Sequence, residues 1–133
     1  MEEFGSVLGW ITAVCYFIAV ANLFVKQIFR RFLAKLPKDS AFKKVYQLFM
    51  KLIVRYHRYF GMAAGAFAVL HLLWQILNVR VSFSGIFAAA LLASTALFGV
   101  AVAYGHKPAL VKTHRPMALV ILAVIIFHMI TKI

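Results

Sequence analysis

Four stretches of the chain run almost without a charge for the thickness of a membrane. Residues 5–25, 58–77, 83–104 and 114–131 are each apolar over about 20 positions, the number of helical residues that crosses the hydrocarbon of a bilayer. The polar positions gather between them. A basic stretch from Lys26 to Lys38 is interrupted by Pro37, which lacks the amide proton a helix needs. Asp39 or Ser40 then reads as an N-cap. Beyond it Phe42, Val45, Phe49, Leu52 and Tyr56 recur at helical spacing, with Lys44, Lys51 and Arg55 on an opposite stripe. Residues 40–56 are therefore either an amphipathic helix lying on the membrane surface or a forward extension of the second span, and the pattern fits both. A short turn over residues 78–84 makes the second and third spans antiparallel neighbours. The third span is rich in small residues (Gly85, Ala88, Ala89, Ala90, Ala93, Ser94, Ala96 and Gly99), which allow close helix approach or leave room for a bulky ligand. The fourth is expected to open after Gly105-His106-Lys107-Pro108, with Pro116 in its first turn, where proline is tolerated.

Composition narrows the class. Of 133 residues, 65% are hydrophobic and 14% charged, too little polar surface to cover a soluble core. The expected fold is an all-α integral membrane protein, a single domain over residues 1–133 built as a four-transmembrane-helix bundle. Glu2 and Glu3 stand where a signal peptide would be basic, and no small-residue cleavage site follows, so the first stretch reads as a span. Thirteen of the fifteen Lys and Arg residues fall on one side of the four spans, leaving Arg80 and Lys132 on the other. By the positive-inside rule both termini should face outward from a cytoplasmic membrane, bacterial in type, and both basic loops the cytoplasm. The net charge of +12 belongs beside anionic lipid rather than nucleic acid, because no soluble module presents it. Cys15 stands alone inside a span, so neither a disulfide framework nor a thiolate metal site can form, and no Cys-x-x-Cys-His exists for covalent haem attachment.

One internal repeat carries the chemistry. His57-Arg58 is followed fourteen positions after His57 by His71, and His114-Arg115 is followed at the same interval by His128. Fourteen helical residues advance roughly 21 Å and fall about 40° short of four turns. Each pair thus shares a helix face, and the two spans run in the same direction. His57 comes level with His114 and His71 with His128, giving two layers, each with one imidazole from each of two helices. Polar groups at membrane depth are expensive and need partners. Zinc wants three or four protein ligands, and the layers are too far apart to pool theirs. A haem iron already holds four porphyrin nitrogens and takes two axial ligands, which is what a layer supplies. Two non-covalent bis-His haems b, stacked across the membrane, are the expected cofactors. Gly61 and Ala118, four residues after the first histidines, should admit the macrocycle edge. Arg58 and Arg115 are placed for the inner propionates, and Arg80 and Lys132 for the outer ones.

Other residues receive plainer readings. His106 sits in a loop among cations and is read as a non-ligand. Gly61-x-x-x-Gly65 has the form of a helix-dimer motif, though its place beside His57 favours a ligand slot. Tyr56, Tyr59 and Tyr104 lie near the inner layer, where interfacial belt residues are expected and a quinone pocket is the sharper alternative.

His-Arg-x-x-Gly with a partner histidine fourteen residues on, repeated two spans later, resembles the ferric reductase-like transmembrane family. Similar paired histidines occur in the cytochrome b of respiratory bc complexes. The resemblance covers residues 56–130 and implies two-haem electron transfer with His57, His71, His114 and His128 as axial ligands. It says little of substrate. Family members often have six spans and a fused flavin and nicotinamide domain; here no Gly-x-Gly-x-x-Gly follows a strand. The expected function is transmembrane electron transfer from a quinol or cytoplasmic electron-donor protein to an extracytoplasmic acceptor: a ferric chelate, a flavin or a partner protein. A haem sensor or assembly factor, and an anchor subunit of a larger oxidoreductase, would use the same ligands. A homodimer is also compatible. The only acids are Glu2, Glu3 and Asp39, outside the spans, so a carboxylate proton relay is missing.

Overall fold

The computed structural model describes residues 2–78, 80–105 and 107–132. Among them the chain is all helix: α1 (Glu2–Arg31), a 3-10 turn (Leu33–Lys35), α2 (Ala41–Asn78), α3 (Phe83–Gly105) and α4 (Pro108–Lys132). All four α-helices are long and apolar enough to cross a membrane. Large apolar side chains such as Trp10, Leu70, Leu97 and Phe127 are exposed around the bundle. That is the arrangement lipid demands, since hydrocarbon leaves apolar side chains at ease while helices satisfy the backbone internally.

The helices outrun the apolar stretches at their basic ends. Residues 40–56 form no separate surface helix: Ser40 sits at the N-cap position, its carbonyl accepting from the Lys44 amide, and α2 then runs unbroken for 38 residues. Its first turns lie along α1. The Tyr46 hydroxyl donates to the Val25 carbonyl at 3.0 Å, and the ring stacks on Phe29 with centroids 6.3 Å apart. Lys43 Nζ donates to the carbonyls of Ala34 (3.2 Å) and Leu36 (2.9 Å), satisfying acceptors in the 3-10 turn and at its C-cap. The apolar stripe through Phe42, Val45, Phe49 and Leu52 faces outward.

At the other end Ser82 caps α3, its Oγ accepting from the Gly85 amide at 3.1 Å. The fourth helix differs from expectation. It begins at Pro108, whose fixed φ suits a first helical position, so His114 lies nearly two turns inside and Pro116 is an interior proline. Pro116 removes one intrahelical bond, to the Lys112 carbonyl, at the level where α4 enters the bundle.

The core runs through the middle of the bundle. Ala13, Tyr16, Val20, Ala64, Ala68, Leu92, Ala118, Ile121 and Ile125 pack together, with Ile121 fully buried at 0% exposure. The Tyr16 hydroxyl donates to the Ala118 carbonyl and so ties α1 to α4. Gly65 meets α3, where a Cβ would stand 3.6 Å from that of Ala96. The Gly61-x-x-x-Gly65 pair therefore faces the bundle's own interior. Of the small residues of α3, Gly85, Ala88, Ala89, Ala96 and Gly99 border the interior, whereas Ala90, Ala93 and Ser94 are exposed.

Candidate functional site

The histidines of α2 are held by the backbone of α1. His57 Nδ1 lies 2.7 Å from the Ala19 carbonyl oxygen, and His71 Nδ1 lies 2.8 Å from that of Gly5. A carbonyl only accepts, so each Nδ1 must carry the proton and donate it. In a neutral ring that arrangement leaves the Nε2 lone pair free, the tautomer in which imidazole binds a metal. Ala19 and Gly5 are themselves fourteen residues apart, and α1 runs antiparallel to α2, so one helical register serves both contacts.

The histidines of α4 press on glycines of α3. A Cβ at Gly99 would stand 3.3 Å from His114 Cε1, and one at Gly85 would stand 3.2 Å from His128 Cε1. Either side chain would push the imidazole away, a close approach that selects glycine. The Ser84 hydroxyl lies 3.0 Å from His128 Nδ1. His114 Nδ1 is buried without a hydrogen-bond partner among the described residues. Gly85 and Gly99 repeat the interval of fourteen, which is thus marked on all four helices.

The four imidazoles fall into two layers. In the inner layer, nearer the basic loops, the rings of His57 and His114 have centroids 6.3 Å apart and planes at 75°. A metal ion between two imidazole nitrogens needs about 2.0 Å to each and about 1.1 Å more to each ring centre, roughly 6.2 Å in all. The inner interval matches that sum and equally lies within the roughly 4.5–7 Å of an ordinary edge-to-face ring pair. His71 and His128 border the outer cavity together.

Each layer opens on a cavity, 430 Å³ at the outer and 1180 Å³ at the inner. The first lies within the range of roughly 300–1,000 Å³ usual for small-molecule sites and the second exceeds it. Leu92, 4% exposed, borders both and, with the core around Ile121, separates them. The sequence-predicted residues line these spaces. Arg58, Gly61, Arg115 and Ala118 border the inner cavity, as do Tyr59 and Tyr104, and Arg80 borders the outer. A Cβ at Gly61 would meet nothing within 4 Å, so this glycine opens onto empty space. Tyr56 stays outside, exposed, with the Arg55 guanidinium 5.9 Å from its ring centre. The Lys132 side chain and His106 lie outside the described residues.

Sequence reasoning missed several contributors. The α1 residues Gly5, Gly9 and Ala19 support the histidines of α2, and a Cβ at Gly9 would stand 3.2 Å from His71 Cε1. Lys26, Arg30 and Arg31 join Arg58 and Arg115 at the inner cavity, with no acid among the lining residues. Asn22 and Thr95, also lining it, are 9% and 4% exposed, and their side-chain oxygens have no hydrogen-bond partner among the described residues. The repeated interval of fourteen was the available signal for Gly5, Ala19, Gly85 and Gly99.

Chemically, each layer borders a largely apolar space with two imidazoles. Among the described residues no three metal-ligating side chains converge, so an ion that takes all its ligands from protein finds no set here. The residues that could hold a planar macrocycle with its own equatorial nitrogens and anionic edge groups are the histidine pair, Gly61 with the open space beside it, and the cations lining the inner cavity. Comparison of the chain with known protein families, with curated proteins and with solved structures finds no match.

Proposed function

We propose that the chain is a di-haem b-type cytochrome that carries electrons from one face of a membrane to the other. The observation that carries this reading is the paired imidazoles. Two helices each present histidines fourteen residues apart, two of the four imidazoles bond through Nδ1 to backbone carbonyls, and the ring centroids of the inner pair stand 6.3 Å apart. His57 and His114 would hold the inner haem, and His71 and His128 the outer. Arg58 and Arg115 would receive the inner propionates, and Arg80 the outer.

Held by two histidines in each layer, haem would supply one-electron redox chemistry, and that donor set would favour outer-sphere transfer over chemistry on a bound substrate. The chain's own residues do the rest. Tyr16, Leu92, Ile121 and Ile125 exclude water between the layers, and the carbonyls of Gly5 and Ala19 fix ring orientation and raise ligand basicity. Thirteen cations at one end support an inner layer that faces the cytoplasm, with both termini outside. Quinol or a donor protein would then serve the inner layer, and a ferric chelate, a flavin or a partner's cofactor the outer. The resemblance to the ferric reductase-like family agrees with this reading.

The test is haem stoichiometry followed by vectorial transfer. Purified protein should contain two non-covalent, six-coordinate, low-spin haems per chain by pyridine haemochrome and optical spectra. Proteoliposomes loaded with reductant should reduce external ferric chelate, and His128→Ala vesicles should not. Less than one haem per folded chain, or equal rates from the two vesicles, overturns the proposal.

A further inference from the structure

The two cavities are unequal although each is flanked by one histidine pair. The inner, at 1180 Å³, has nearly three times the 430 Å³ of the outer. The inner cavity's lining continues along α1 beyond Ala19, through Asn22, Lys26 and Arg30, residues spaced four apart on one helix face. On α3 it continues beyond Gly99 through Ala103. Asn22 lies one turn toward the basic end from Ala19, the residue that holds His57. It is nine-tenths buried, at membrane depth, and its Oδ1 accepts no hydrogen bond from any described residue. A buried amide oxygen without a partner is costly, so a donor belongs opposite it.

Resting on the di-haem reading, we propose that this basic-side part of the inner cavity is a quinol site, with Asn22 Oδ1 accepting from a quinol hydroxyl beside the inner haem. Three features select that occupant. Part of the rim is lipid-exposed and apolar (Phe24, Met62, Val100 and Leu119), so a ligand dissolved in the bilayer can enter sideways. The occupant must offer a donor to Asn22, and a quinol brings two hydroxyls. Lys26 lies within electrostatic reach of Arg115 and Arg30, and this uncompensated positive field favours loss of a hydroxyl proton. Oxidation of the bound quinol would break both O–H bonds and release two protons to water at the basic end, its two electrons going one each to the two ferric haems that the histidine pairs would hold. A flavin nucleotide, entering from water with a phosphate for the cations, is the competing occupant and an outcome of the test.

The experiment uses the haem-loaded protein in detergent and measures equilibrium binding of oxidised and reduced decylubiquinone and menadione by dialysis, with flavin mononucleotide in a parallel arm. Wild type should bind quinol, and Asn22→Leu should weaken it roughly tenfold, the worth of one buried hydrogen bond. Ala103→Phe, which fills the cavity from α3, should do the same without touching a polar group. Both variants should keep two haems per chain and full reduction by dithionite, while reduction by quinol slows in step with binding. The proposal falls if neither quinone binds wild type, if flavin mononucleotide binds instead, if both variants bind quinol normally, or if Asn22→Leu loses the inner haem. Two haems with no quinol binding would refute this site and leave the di-haem reading standing; fewer than two haems in wild type would remove the reading itself.

Discussion

Gly61→Ala separates what the protein alone prefers from what it holds. The residue lies inside α2, where replacing glycine by alanine removes backbone freedom from the unfolded chain and stabilises a helix by about 1 kcal/mol. The protein offers no obstacle, since the new Cβ meets nothing within 4 Å. At Gly65, one turn on, the same Cβ would sit 3.6 Å from Ala96 Cβ, an ordinary van der Waals contact. Judged by protein atoms alone, both variants should be at least as stable as wild type. A macrocycle filling the space beside His57 changes the outcome at one of them only. Inserting a methyl into an occupied site costs typically about 1–3 kcal/mol, or roughly 5- to 150-fold in affinity. Gly61→Ala should therefore fold normally when haem-free yet hold its inner haem that much more weakly, while Gly65→Ala keeps wild-type affinity. Haem-free protein would be titrated with haem, following the Soret band and the thermal midpoint together. Equal inner-haem affinity for Gly61→Ala and wild type would show that nothing fills the space Gly61 leaves, and the assignment of this glycine would be wrong.

Two further outcomes follow from the layers and the charge. His71→Ala or His128→Ala should remove the outer haem and largely spare the inner, and His57→Ala the reverse; pyridine haemochrome counts of about one per chain check this, and loss of both haems from any single variant would argue against independent layers. Cysteines introduced near the N-terminus and at Ser82 should react with impermeant reagents on intact cells, whereas one at Ser40 should not, and the opposite pattern would reverse the topology.

The spans were legible because hydrocarbon imposes a length, and a run of about 20 apolar residues suits a membrane crossing far better than any soluble element. Their ends were not. Beyond the hydrocarbon α2 continues for sixteen residues before His57, where the pattern turns amphipathic and suits either a surface helix or an extension. The contact that decides is Tyr46 on α1, a tertiary event. The start of α4 was misplaced for a related reason: Pro108 and Pro116 both satisfy the rule for a first turn, and local preference cannot rank them. The four histidines could be read because their interval is nearly an integral number of turns, and the fold brings His57 and His114 together as that arithmetic requires. Their supports were hidden. A backbone carbonyl accepts a hydrogen bond whatever side chain it carries, so Ala19 and Gly5 left no chemical mark, and Gly85 and Gly99 stood among many small residues of α3.

The bundle is two hairpins, and the cavities lie between them. Within the first, α1 and α2 are joined by the His57, His71 and Tyr46 bonds to backbone carbonyls. Within the second, α3 and α4 close on Gly85 and Gly99 against histidine rings. Between them stand the Tyr16 bond to Ala118, the Gly65–Ala96 approach and the core around Leu92 and Ile121. Every imidazole layer takes one ring from each hairpin, so a group bound in either layer fastens the two halves together and fills space whose lining otherwise lacks dispersion partners. A ligand that binds only the folded chain at one hundred times its dissociation constant stabilises it by about 2.7 kcal/mol. Two independent layers should therefore raise the thermal midpoint of haem-free protein in two comparable steps as haem is added. His71→Ala should abolish one step, and His57→Ala with His71→Ala should abolish both, each variant starting from a haem-free midpoint lowered by the loss of the Gly5 bond or of the Gly5 and Ala19 bonds. A midpoint that ignores haem, or that rises equally when all four histidines are alanine, would mean that the histidines do not join the hairpins through a shared ligand.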